Sequence, residues 1–150
     1  MVSRYAAKAR GLAEQLAAGA TTGTYGATPA GDIVILTVPY TGAAAVVADY
    51  GVALDGKVII DITNPVAPDL SGLVTPDGSS GAQETAKALP AGAHVVKAFN
   101  TIFGHVLAKG GRLDAFIAAD DAEAKARVST FLESLGLRPL DVAACAWPRR

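Results

Sequence analysis

The sequence predicts an α/β fold, with a doubly wound, mostly parallel sheet in a single domain. Three observations carry this reading. Apolar, β-branched runs recur at Asp32 to Val38, Lys57 to Ile62 and Ala93 to Ala98, as expected for strands buried on both faces. Each run breaks into a polar or turn-forming tip: Pro39-Tyr40, Thr63-Asn64-Pro65 and Phe99-Asn100-Thr101. Segments of helical spacing alternate with the strands, which implies parallel strands joined by right-handed crossovers. Ligands of such sheets bind beyond the C-terminal ends of the strands, so three tips at one end define one rim for one ligand.

The elements follow in order. Ser3 can cap a helix from about Arg4 to Ala18, with Tyr5, Ala9, Leu12 and Leu16 forming one apolar stripe and Gly19 stopping it. Ala20 to Thr24 is read as a short strand, and Tyr25 to Gly31 as a turn-rich linker. After the strand at Asp32 to Val38, a second helix starts at Tyr40-Thr41-Gly42, buries Val46, Val47 and Tyr50, and ends at Gly51. Residues 63–79 form a long Pro/Gly-rich loop after the next strand, and a loop of that length is usually functional or mobile. Ser80 and Gln83 have capping-box spacing for a helix ending near Leu89-Pro90. A short helix near Ile102 to Ala108 follows the third strand, and Gly110-Gly111 makes a turn. Leu113 to Ala118 is a strand, Asp120-Asp121 opens a helix closed by Gly136, and Leu137 to Val142 is the last strand.

Composition narrows the function classes. The chain has 150 residues, 51% hydrophobic and 18% charged, enough for one globular domain with its own core. A net charge of −1 offers nothing for broad binding to nucleic acid or anionic membranes. Cys145 is the only cysteine, which excludes an intrachain disulfide and a thiolate-cluster metal site and fits a reducing, cytoplasmic setting. No apolar run approaches ~18 residues, and Met1-Val2-Ser3-Arg4 has no signal-peptide pattern. No His/Asp/Ser constellation or paired catalytic carboxylates appear. Asp120-Asp121 is best read as helix capping.

The segments "DIVILTVPY", "GKVIIDITNP", "GSSGAQETAKALP", "AHVVKAFNTI" and "AADDAEAKARVSTFLESLGLRPLD" occur in this order. Together, over about residues 3–142, they resemble the NADP oxidoreductase, coenzyme F420-dependent family, which is related to the oxidoreductase domain of the STEAP metalloreductases. The resemblance implies a Rossmann-like domain that binds NADP(H) and passes a hydride between the nicotinamide and a deazaflavin, such as coenzyme F420, or a flavin. It also implies that Ser3, Arg4 and Lys8 hold the 2′-phosphate. A cap at a helix N-terminus and two cations four residues apart agree with that role. Without the resemblance, the same three residues read as a plain cap and two solvated cations.

At the rim, Val38, Pro39 and Tyr40 read equally as a helix start or as contacts to the cofactor. Asn64 and Pro65 form a common turn signal; with the resemblance they become a nicotinamide-side wall. Ala98, Phe99, Asn100 and Thr101 are the strongest candidates. Phe99 can equally pack in the core, whereas an amide such as Asn100 at a buried strand end needs partners. Lys97 is read as structural, His94 and His105 as bland surface residues, and Cys145 as inert. Gly72 to Ser80 is either a lid over a second cofactor or a plain mobile loop.

One departure stands out. Relatives begin with a strand and a G-x-G-x-x-G turn that approaches the pyrophosphate, and these 150 residues contain no such motif. The expectation is therefore an incomplete, N-terminally truncated domain lacking the first strand, with weakened dinucleotide binding. The strand at Asp32 to Val38 would have an open edge that invites a homodimer. The alternative to an oxidoreductase is a catalytically inactive module serving as an interaction or regulatory domain.

Overall fold

The computed structural model describes residues 1–16 and 18–143. The elements run α1 (Ala6–Leu16), β1 (Ile33–Leu36), α2 (Tyr40–Tyr50), a 3-10 turn (Gly51–Leu54), β2 (Val58–Asp61), α3 (Gly81–Ala86), β3 (His94–Lys97), α4 (Gly104–Leu107), β4 (Asp114–Ala118), α5 (Ala122–Ser134) and β5 (Arg138–Ala143). The five strands form one sheet in the order β1-β2-β3-β4-β5. Ile33 is in register with Val58, and Val58 with His94, so β1, β2 and β3 are parallel and their tips emerge together.

The sheet is covered on both faces, as expected for a doubly wound fold. Successive side chains of a strand point to opposite faces. Val58 and Ile60 accordingly join Val96, Ile117, Val128 and Leu132 in the layer under α5. Ile59, between them, joins Leu36, Ala43, Val47 and Leu54 under α2. All four residues of β2 are buried, which makes it the most enclosed strand among the described residues. Burying a side chain such as Leu132 contributes about 1.5–3 kcal/mol.

Local signals set the helix ends. Ser80 Oγ accepts from the Gln83 amide at 3.2 Å while Gln83 Oε1 accepts from the Ser80 amide at 2.8 Å, completing the capping box. Asp121 Oδ1 accepts from the Ala124 amide at 2.7 Å and starts α5. Gly51, at φ 49°, ends α2 with its amide on the Val47 carbonyl.

Four expectations are corrected. β4 and β5 are parallel to each other, but β4 meets β3 antiparallel, with Lys97 opposite Ala118. The connection from β3 carries one four-residue helix and turns at Gly110 and Gly111, at φ 70° and 100°, so it reverses the chain instead of crossing the sheet. The first helix is shorter than expected: Ser3 Oγ accepts from Tyr5, two residues on, at 3.1 Å, and helix begins only at Ala6. Ala20 to Thr24 is not a strand, because its backbone bonds go to Met1 rather than to the sheet: the Met1 ammonium donates to Thr21 O at 2.6 Å and Gly23 N to Met1 O at 2.9 Å. The helix expected over Ile102 to Ala108 is a single turn, α4.

Among the described residues, β1 is an edge strand with Ile35 42% exposed. Cys145 and Trp147-Pro148-Arg149-Arg150 lie outside the described residues.

Candidate functional site

The tips of β1 and β2 enclose a cleft of about 560 Å³ where α2 begins. Thr37, Val38, Pro39, Tyr40 and Thr41 form one wall, and Ile62, Thr63 and Asn64 the other. Pro39, at φ −58°, leads into α2, and no side chain caps the helix there. The first residues of α2 line the cleft with no side-chain cap on the helix start, where the dipole favours an anion.

Asn64 joins the β2 tip to the β3 tip. Its Nδ2 donates to the Asn100 carbonyl at 2.9 Å, and Asn100 Nδ2 donates back to Asn64 Oδ1 at 3.3 Å. Between β3 and Asn100 stands Phe99 at φ 62°, a left-handed conformation that costs a non-glycine residue about 1–2 kcal/mol. The ring of Phe99 packs against the core under α5, so the turn out of β3 is anchored in the hydrophobic interior.

The long loop after β2 is a folded flap. Val66 bridges Leu73, Val74 N donates to Pro65 O at 2.9 Å, and Ala67 N to Gly72 O at 2.9 Å. Val66, Pro68 and Val74 thereby line the cleft, while Leu70 and Leu73 stay exposed. A Cβ on Gly81 would lie 3.3 Å from Pro65 Cγ and 3.4 Å from Tyr40 Cε2, so the glycine lets α3 start tight against the rim. Burial, with the Glu84 charge nearby, raises the Tyr40 phenol above its ordinary value.

The predicted residues divide into two groups. Val38, Pro39, Tyr40 and Asn64 line the cleft, Pro65 packs beside it, and Asn100 is reached through Asn64. Ala98 is fully buried and Thr101 is exposed beyond Asn100. Ser3, Arg4 and Lys8 sit elsewhere. The Arg4 guanidinium lies 2.7 Å from Asp49 and 2.9 Å from the Tyr25 hydroxyl. Lys8 Nζ lies 5.1 Å from the centroid of the Tyr5 ring. Asp49 is nine residues along α2 from Tyr40, roughly 13 Å down the axis at ~1.5 Å per residue. The Tyr25 hydrogen bond, then Arg4, holds the Asp49 carboxyl below its ordinary value of 3.8. Arg4 precedes α1, so it shares no helix face with Lys8.

His94 Nδ1 approaches Asp121 at 3.7 Å, and His105 stacks on Phe103 with centroids 5.7 Å apart. The sequence does not single out Thr37, Thr41 and Ile62, which flank the tips, and gives Thr63 only as part of a tip. The loop over residues 63–79, and within it Gly72 to Ser80 as a lid or a plain mobile loop, is read from the sequence, but Val66, Pro68 and Val74 are not singled out as lining the cleft, because they carry no periodic signal. Among the described residues, no three His, Cys, Asp or Glu side chains gather as a metal site, and no helix is long and apolar enough to cross a membrane.

Comparison with known proteins now adds to the geometry. Residues 1–65 match the family model described as NADP oxidoreductase coenzyme F420-dependent. The resemblance read over about residues 3–142 thus rests, at the level of this model, on the stretch ending at Pro65; it includes the first two tips and not the third. A hypothetical protein, SMa0349 from Sinorhizobium meliloti, is 27% identical with a TM-score of 0.80, over 96% of this chain and 72% of that one. A putative F420-dependent NADP-reductase from Arthrobacter sp. FB24 is 26% identical with a TM-score of 0.71, over 83% of this chain and 60% of that one. A pyrroline-5-carboxylate reductase from Coxiella burnetii, 16% identical with a TM-score of 0.60 over 95% of this chain and 48% of that one, shares the fold. The chain has an α/β, Rossmann-like fold and resembles NADP-dependent oxidoreductases.

Proposed function

We propose that the rim binds NADP(H) and serves an oxidoreductase that passes a hydride between NADPH and a deazaflavin such as coenzyme F420, or a flavin. The observation that carries this reading is the Asn64–Asn100 pair, which joins two parallel strand tips beside the cleft at the start of α2. The match over residues 1–65 adds its support. The residues present fit such a group. The cleft falls within the roughly 300–1,000 Å³ typical of small-molecule sites. Val38, Ile62, Val66 and Val74 offer apolar walls to a ring, the hydroxyls of Thr37 and Thr41 suit a ribose, and the uncapped start of α2 suits a phosphate.

The cofactor, when bound, supplies the hydride. The chain's own residues bind, orient and exclude water, and direct hydride transfer needs no acid–base triad from them. In this reading Ser3, Arg4 and Lys8 contact the 2′-phosphate, with Arg4 exchanging its carboxylate partner for the phosphate. The site is cytoplasmic. Calorimetric titration tests the proposal: NADPH should give saturable heat and NADH should bind more weakly. No heat at millimolar NADPH overturns the reading, and equal affinities remove the role of Arg4 and Lys8.

A second reading, a non-catalytic interaction or regulatory module, is favoured by Arg4 being bound to Asp49 away from the cleft and by the lack of G-x-G-x-x-G in these residues. Following nicotinamide absorbance with each candidate acceptor separates the two readings. We also propose a homodimer through β1, an edge strand with Ile35 exposed. Ile35→Lys should shift sedimentation from dimer to monomer, and a wild-type protein that sediments as a monomer defeats the idea.

A further inference from the structure

We propose that Lys97 is a positioning residue of the rim: through Thr63 it sets the Asn64 side chain in its pairing with Asn100. This rests on the reading that the rim binds NADP(H). Asp61, the last residue of β2, is 0% exposed. A buried carboxylate is costly unless it is paired and hydrogen-bonded. Three elements meet that need. Thr63 N donates to Oδ1 at 2.7 Å, Lys97 Nζ approaches the same oxygen at 3.2 Å, and the Thr85 hydroxyl of α3 lies 3.3 Å from Oδ2.

Lys97 does more than neutralise Asp61. Its ammonium also donates to the Thr63 carbonyl and lies 3.4 Å from the Thr63 hydroxyl. The amide, carbonyl and hydroxyl of Thr63 are therefore all held from beneath by one ion pair. The lysine side chain is only 17% exposed, which limits solvent screening of its charge. Thr63 lines the cleft, and the next residue is Asn64. Asn64 is itself exposed, and neutral hydrogen bonds in water contribute little net energy. What orients its amide is the backbone fixed one residue earlier. The last residue of β3 thus controls the tip of β2.

The test uses isotope-labelled full chain, with the side-chain amide resonances of Asn64 and Asn100 as one readout and NADPH titration as the other. Lys97→Met should move both amide pairs toward free-amide positions and weaken NADPH binding about tenfold, the equivalent of one lost interaction. Lys97→Arg should keep the amide pairs in place. Val96→Ala, a cavity variant of the fully buried neighbour, should lower stability and leave the amides unmoved. If Lys97→Met does not fold, the double variant Asp61→Asn/Lys97→Met removes both charges without leaving a lone buried carboxylate, and should also release the pair. Amide signals unchanged without the ammonium, or moved equally by Val96→Ala, overturn the proposal. A wild-type protein that ignores NADPH defeats the proposed function, and the amide readout still decides the role of Lys97.

Discussion

α1 and α5 are similar on paper and opposite in place. Both are amphipathic helices, of 11 and 13 residues. α5 buries Ala124, Val128 and Leu132 against β2, β3 and β4, at the centre of the larger core layer. α1 buries only Ala9 and leaves Leu12 and Leu16 at 47% and 55% exposure, with Tyr5, just before it, at 68%. The difference teaches that an apolar stripe specifies a helix but not the surface it covers. α5 is linked through short connections to two strands it lies across. α1 is followed by 16 residues before β1, and its neighbourhood is tied to the rest by Arg4, Asp49 and Tyr25 at the surface.

The largest expected effect separates the two helices directly. Leu132→Ala should cost about 2–5 kcal/mol in urea unfolding, from lost burial and the cavity left behind. Leu12→Ala should change stability by less than about 0.5 kcal/mol, as at an exposed position. Equal losses would mean that α1 is docked in solution, and would erase the contrast.

A smaller effect sharpens it. The folded Asp49 carboxyl ionises below its ordinary 3.8, so its pairing supports the N-terminal segment above that value. The support fades as pH falls from 3.8 through the lower, folded value. The protection of α1 against hydrogen exchange, taken relative to the intrinsic rate at each pH, should therefore fall in that window in the wild type. Asp49→Asn should remove the pH step and leave α1 equally open on both sides of it. A step that persists in the variant assigns the acid sensitivity to another group.

Much of the molecule was legible where the cause is local. The Ser80–Gln83 capping box, the Asp121 cap and the stops at Gly51 and Gly136 depend on residues within a turn of one another, and all occur as read. The strand tips at Pro39 and Asn64 were legible for the same reason: buried strands must end where polarity returns. The direction of β4 was not, because a run such as Asp114 to Ala118 has the same alternation whichever way it lies. The flap was legible as a long loop but not in its internal pairing, since one isolated bridge between Val66 and Leu73 leaves no period in the sequence. Asp61 looked like an ordinary strand residue, and its partners Lys97 and Thr85 are 36 and 24 residues away.

By itself the sequence determined the five strands of the sheet, the places of the helices, most of their caps and the one end of the sheet where polar tips collect, though it also read a strand at Ala20 to Thr24 that does not form. These follow from periodicity and backbone geometry, which act over a few residues. Only the tertiary structure decided that β4 runs backward, that α1 lies largely bare with Arg4 on Asp49, and that a buried ion pair stands under Thr63. Those outcomes depend on which distant groups find one another once water is excluded, and desolvation energies belong to the assembled interior rather than to any stretch of chain.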